Sequence, residues 1–274
     1  MEFKFYSMAI SMRYYLSFIL FFCLTQWLLF SESVKSPGMN SRIVAIREEL
    51  ELDKVEISSM GESDDVMIEG NVSDPELSKC AEEIAGKYSQ HKSFYGWYYP
   101  NESGLWNELD ETTISYVNRC NKKAKELTPG SVNLIAPYGT KSVRADDKYV
   151  SQLQKLDIEI IAYQDEIGVK KTKVGTAGKY YESLSKAHTK AGRSKIWADM
   201  EIFEFENDVY ASALIPADFD RILKQMEDIS PFVEKILIYQ YPGIMNKPGS
   251  LASVGHPNSE KLYTDYMHWL KTQK

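Results

Sequence analysis

Residues 158–201 read IEIIAYQDEIGVKKTKVGTAGKYYESLSKAHTKAGRSKIWADME, and this stretch decides the fold. It opens on the apolar run Ile158–Tyr163 and closes on Lys195–Met200, with a predicted helix over 177–191 between them. Both runs are nearly continuous in apolar residues, as strands buried on both faces should be. Strand, helix and strand in that order predict parallel pairing through a helical crossover.

The same alternation extends outward. Further strand candidates are Lys54–Ser58, Phe94–Tyr99, Val132–Ala136 and Lys235–Gln240. Further helices are predicted near 74–88, 110–127, 146–156, 216–229 and 259–272. Asp74-Pro75 reads as an N-cap followed by proline at the first helical position. Leu262, Tyr266, Trp269 and Leu270 mark the buried stripe of the last helix. Parallel strands with helical crossovers close into a barrel or spread into a doubly wound sheet. The strand count favours a barrel that lacks some of its eight strands. The deficit falls at the N-terminus, where Ile43–Leu52 reads as a helix leading into the strand at Val55.

The bulk numbers suit one large domain. The chain has 274 residues, 43% of them hydrophobic, and a net charge of -7. An acidic balance argues against a nucleic-acid partner, since a phosphate backbone needs a basic face. Tyr14–Phe30 is uncharged and apolar, with Arg13 before it and Ser31 and Ser33 after it. That order describes a secretory signal within residues 1–33; a retained membrane anchor is the alternative. Residues 34–274 then form the barrel domain of an exported protein, which meets the membrane only through that first segment. Of the three cysteines, Cys23 lies in the signal-like run, and the pairing of Cys80 with Cys120 stays open. The four histidines are scattered, no His/Cys cluster has metal-ligand spacing, and no glycine-rich loop cradles phosphate, so no cofactor is expected.

In a parallel barrel, chemistry sits just beyond the C-terminal ends of the strands. Trp97, Tyr98 and Tyr99 run into Asn101-Glu102 at the first such end. A sugar ring packs apolar C–H faces on aromatic rings and offers hydroxyls to carboxylates and amides. Tyr138 is a wall residue at the next end, and Gln164 and Asp165 crowd the one after it. Alternation places Trp197, Asp199 and Glu201 on one side of their strand, where inward acids are costly unless paired or functional. Glu204 and Glu206 read as solvated loop acids. Tyr239 and Tyr241 follow at the last end. Glycoside hydrolysis needs two carboxylates across the scissile bond. Glu102 and Glu201 are the candidate pair, drawn from different strands.

From about Asp74 to the C-terminus the chain resembles the domain-of-unknown-function 4434 family, bacterial TIM barrels grouped with glycoside hydrolases. The resemblance rests on Ser93–Glu102, Ile135–Tyr138, Gln164–Gly168, Trp197–Phe203 and Ser230–Val233. It implies a (β/α)8 TIM barrel of glycoside-hydrolase type, incomplete at the N-terminus, since nothing upstream of Val55 resembles the family's first two strands. It numbers the strand ending at Glu102 as the fourth and that ending at Glu201 as the seventh. In retaining glycosidases of the larger clan, those ends carry an Asn-Glu acid/base and a glutamate nucleophile. By analogy Asn101-Glu102 and Glu201 are similar to that arrangement. Trp97, Tyr99, Asn101, Tyr138, Gln164, Asp165, Trp197, Asp199, Tyr239 and Tyr241 would then bind an oligo- or polysaccharide. The alternatives are a non-catalytic carbohydrate-binding or cell-surface barrel, and an inactive truncated paralogue.

Overall fold

The structure is a computed structural model and describes residues 58–59, 66–67, 74–92, 94–99, 104–105, 108–250 and 255–272. The signal-like run, the helix expected at Ile43–Leu52 and most of the strand expected at Lys54–Ser58 lie outside the described residues. β1 (Ser58–Ser59) and β2 (Val66–Met67) pair antiparallel, and α1 (Asp74–Tyr88) follows them in the same compact unit.

The other unit holds residues 95–125 and everything from 130 onward. Its strands are β3 (Tyr98–Tyr99), β4 (Leu134–Ile135), β5 (Ile160–Gln164) and β6 (Lys195–Glu201), then the hairpin β7 (Phe203–Phe205) and β8 (Leu214–Pro216), then β9 (Lys235–Tyr239). Its helices are α2 (Glu111–Leu127), α3 (Asp147–Lys155), α4 (Gly178–Ala191), α5 (Phe219–Ile229) and α6 (Asn258–Thr272). Strands β3, β4, β5, β6 and β9 form one parallel sheet in that order. Successive parallel strands joined by helices are the construction of a TIM barrel, and five such strands lie among the described residues. Among the described residues β3 and β9 are the two edges of this sheet.

Local chemistry sets the element ends. Asp146 caps α3 by accepting a hydrogen bond from the Tyr149 amide at 3.1 Å. Asp110 does the same for α2 through the Thr113 amide at 2.6 Å. α4 ends at Gly192, whose left-handed φ of 66° lets its amide reach the His188 carbonyl.

The central strands β5 and β6 are buried on both faces. Ile135, Ile161, Tyr163, Ile196 and Ala198 pack against Val117, Leu153, Leu184 and neighbouring residues of the helices. Each such buried aliphatic side chain stabilises the fold by about 1.5–3 kcal/mol. Residues of the opposite parity, Ala136, Ile160, Ala162 and Trp197, form a smaller inner cluster with Tyr98, Leu134 and Leu237. Buried polar groups in the outer layer are linked in series. Tyr149 and Tyr163 hydroxyls lie 2.7 Å apart, Tyr163 meets His188 Nε2 at 2.9 Å, and His188 Nδ1 meets the Ser194 carbonyl at 3.0 Å.

One expectation changes. Phe203–Phe205, read as part of a loop, is strand β7, and Glu204 is half-buried while Glu206 is exposed. Cys120 is a half-buried thiol. Among the described residues no helix is long and apolar enough to cross a membrane.

Candidate functional site

The C-terminal ends of β5, β6 and β9 lie side by side, because Gln164 pairs with Asp199 and Glu201 with Tyr239 in the parallel ladders. Asp165, one residue past β5, is 1% exposed. Its Oδ1 accepts hydrogen bonds from the amides of Glu201 at 3.1 Å and Ile167 at 3.3 Å. Its Oδ2 accepts one from Gln225 Nε2 of α5 at 2.6 Å. Glu201 is 6% exposed, and its Oε2 accepts from the Val169 amide at 2.8 Å. Arg221, one turn before Gln225, donates to the carbonyls of Glu201 at 3.2 Å and Phe203 at 2.6 Å. Gly168 is required here: a Cβ at that position would sit 2.7 Å from the Phe203 carbonyl oxygen and 3.0 Å from Glu201 Cβ.

Both acids are driven toward their neutral forms. Burial pushes the Glu201 carboxyl well above the usual range, and the charges of Asp165, Asp199 and Glu166 push it further, against the Val169 hydrogen bond. Burial raises Asp165 to about 6, opposed by the bonds from Glu201, Gln225 and Ile167 and by the Arg221 charge. Adjacent buried carboxyls cannot both ionise without a large desolvation and repulsion cost. The pair therefore holds a proton into the neutral range.

Beside this pair the loops after β4 and β5 enclose an open cleft of about 390 Å³, lined by Tyr138, Gly139, Lys141, Ser142, Glu166 and Lys171. Gly139 adopts a left-handed φ of 85°, and a Cβ there would meet the Leu105 amide at 3.0 Å. Thr140 Oγ1 donates to the Gln164 carbonyl at 2.7 Å and ties this turn to the end of β5. Glu166 and Lys170 hold positive φ values of 55° and 59°, costly for residues with a Cβ. The Glu166 side chain is nearly buried, accepts the Gly139 amide at 3.0 Å and lies 4.0 Å from the Lys171 ammonium. Burial raises its carboxyl, with Lys171 and the Gly139 and Thr140 amides opposing. Lys171 lies 5.1 Å from the centre of the Tyr138 ring and 5.9 Å from that of Tyr210. Its burial disfavours the ammonium form, but Tyr210, Glu166 and Tyr138 outweigh this and raise it.

The structure thus brings Gln164, Asp165, Asp199, Glu201 and Tyr239 to one corner of the sheet, and Tyr138 to the adjoining cleft. Gln164 donates from Nε2 to the Ala136 carbonyl at 3.0 Å. Tyr239 packs edge-on against Phe203, with ring centres 5.8 Å apart. Other expected sugar contacts lie elsewhere. Tyr99 is buried on the helix side of the sheet, with its hydroxyl 3.2 Å from Asn121 Oδ1 of α2. Trp97, two residues earlier and of the same parity, packs against that same layer. Neither ring lines the cleft, because Tyr98 rather than its neighbours faces inward. Trp197 is on the inner face but buried, with the Lys235 ammonium 4.7 Å from its ring centre. Tyr241 packs on Tyr263 of α6, and its hydroxyl accepts the Lys247 amide at 3.1 Å. Asn101 and Glu102 lie outside the described residues.

Lys171, Lys141 and Ser142 were not singled out from sequence, and Glu166 was read there only as the second acid at the end of its strand. Glu166 adjoins Asp165, and the basic run Lys170-Lys171-Thr172-Lys173 stands out in an acidic chain, so a signal existed. Arg221 and Gln225 gave none, being ordinary polar positions on a helix. Among the described residues no group of three His, Cys, Asp or Glu side chains could hold a metal ion.

A parallel α/β sheet of this construction, its strands joined by helical crossovers and acids gathered at its C-terminal edge, has the fold of a TIM barrel. Residues 69–252 match the family described as Domain of unknown function (DUF4434), and the chain belongs to it. It is similar in fold to a "putative alpha-L-fucosidase" from Bacteroides thetaiotaomicron, at 18% identity and a TM-score of 0.54, covering 70% of this chain and 59% of that one. A GH5_18 protein from Streptomyces cattleya in complex with GlcNAc matches at 13% identity and a TM-score of 0.47, covering 79% of this chain and 61% of that one. The GH53 catalytic domain from Ignisphaera aggregans matches at 13% identity and a TM-score of 0.40, covering 69% and 61%. The chain therefore spans about three fifths of the length of each of these structures. No curated protein matches the chain.

Proposed function

We propose that this protein is an exported carbohydrate-active enzyme, an O-glycosyl hydrolase acting on an oligo- or polysaccharide. The observation that carries the reading is Glu201, buried beside Asp165 at the C-terminal strand ends, where burial and then the Asp165 charge push its carboxyl well above the usual range. A carboxyl that still holds its proton near neutral pH is what glycoside hydrolysis requires of its acid. With its proton held, Glu201 would serve as the acid, the reverse of the nucleophile role that the family resemblance gives it, and Glu102 would be the partner carboxyl. Since Glu201 Oε2 is held by the Val169 amide, substrate reaches it only when the 165–171 loop moves aside. Asp199, Gln164 and Tyr239 border the same corner and would contact sugar hydroxyls and ring faces. Export rests on the apolar run Tyr14–Phe30.

The test is hydrolysis of a glycan panel by wild type, Glu201→Gln and Glu102→Gln. Loss of a general acid or base costs about 10²–10⁴-fold in rate. Equal rates in wild type and both variants would remove the assignment. The burial of Glu201 favours a second reading, a non-catalytic carbohydrate-binding barrel. That reading predicts saturable glycan binding by wild type with no turnover.

A further inference from the structure

We infer that the cleft beside the acid pair is an anionic-sugar subsite, selecting a saccharide that carries a carboxylate or sulfate group. The inference rests on the saccharide reading above and names its substrate class. Three charged side chains line the cleft, and their exposure is unequal. The one anion, Glu166, has a side chain only 4% exposed and is turned back onto the Gly139 amide. The Lys171 side chain is 48% exposed, and Lys141 is exposed. A ligand entering the cleft therefore meets two ammonium groups, Ser142 and the half-buried Tyr138 ring.

Glu166 serves as a buried counter-charge rather than as a ligand contact. It lies 4.0 Å from the Lys171 ammonium, which also sits over the Tyr138 and Tyr210 rings. Three contacts aim a long, flexible side chain at one place, which lowers the entropy lost when an anion binds it. Lys141 is tied in as well, donating from Nζ to the Lys171 carbonyl at 3.4 Å. The whole chain carries a net charge of -7, so a cationic cleft mouth is not a general property of its surface. Such a mouth attracts acidic groups over a distance and holds them through charge-assisted hydrogen bonds. A neutral sugar gains none of that.

The experiment is calorimetric titration of the full chain with three oligosaccharide sets of equal length: neutral, uronic-acid and sulfated. It is run at low and at high salt. The expected result is that one or both acidic sets bind at least about tenfold tighter than the neutral set. That preference should shrink about tenfold in Lys171→Gln and again at high salt, because the pairing is partly exposed and screened. Tightest binding of the uronic-acid set identifies a carboxylate, and of the sulfated set a sulfate ester. Neutral sugars binding as tightly as acidic ones would overturn the subsite and leave the saccharide reading standing. Binding by no set would overturn both. If Lys171→Gln does not fold, Lys141→Gln at the exposed rim takes its place, and an unchanged preference in that variant refutes the inference.

Discussion

Replacing Asp165 by asparagine isolates the electrostatic strain of the acid pair. The wild-type carboxyl titrates near 3.8 in an unfolded chain and at about 6 in the fold. The folded protein thus holds this proton more tightly than the unfolded one. The resulting stabilisation is fully present below pH 3.8 and is lost as pH rises through about 6. At about 1.36 kcal/mol per pH unit, the loss is on the order of 3 kcal/mol by pH 8, most of it arising above pH 4. The Asp165→Asn variant would keep an acceptor for the Glu201 and Ile167 amides. Its new amide would face Gln225 Nε2, and turning the Gln225 side chain to present Oε1 instead gives up the 3.2 Å bond from Nε2 to the Glu201 carbonyl. That rearrangement costs the same at every pH and cancels in a difference. Urea unfolding followed by tryptophan fluorescence at pH 4 and pH 8 therefore gives a clean reading. Asp165→Asn should gain on the order of 2–3 kcal/mol on wild type between the two pH values, with unchanged denaturant sensitivity. Relief of Glu201, raised in part by the Asp165 charge, adds to the gain. A gap that stays constant with pH, or moves against the variant, refutes the buried-pair account.

His188 is buried and hydrogen-bonded on both ring nitrogens, and burial lowers its pKa against the Ser194 contact. Unfolded chains take up its proton below about pH 6.5 while the fold resists, so its contribution is present above that pH and shrinks below it. His188→Gln should lose about 1–2 kcal/mol at pH 7.5 in thermal melts, with the gap narrowing by pH 5.5; a constant gap would contradict a neutral buried imidazole. Gly168→Ala should displace the loop from Phe203 and Glu201, destabilise the fold by about 1–3 kcal/mol and speed hydrogen exchange at the Val169 amide. Unchanged Val169 exchange would mean that the loop does not depend on this close approach.

The sequence by itself determined the order of elements. Helices expected near 110–127, 146–156 and 177–191 are α2 at Glu111–Leu127, α3 at Asp147–Lys155 and α4 at Gly178–Ala191. These rest on caps and periodicities carried by neighbouring residues, so local sequence suffices. The strand ends that carry acids were legible for the same reason: Gln164, Asp165, Asp199 and Glu201 close apolar runs. Tertiary structure decided what those residues face. Strands buried on both sides give no clue to phase, so Trp97 and Tyr99 could have pointed either way, and the ladder turns them to the helices. The β7–β8 hairpin depended on pairing Phe203–Phe205 with Leu214–Pro216 across a polar turn, and neither short segment announces its partner. Above all, which acid is exposed is a property of everything packed around it. Glu166 and Glu201 are alike in sequence, but the Gly139 turn, the 165–171 loop and helix α5 bury both and leave two lysines at the cleft mouth. Desolvation and hydrogen bonding depend on distances through space, and a linear pattern of residue types does not encode them.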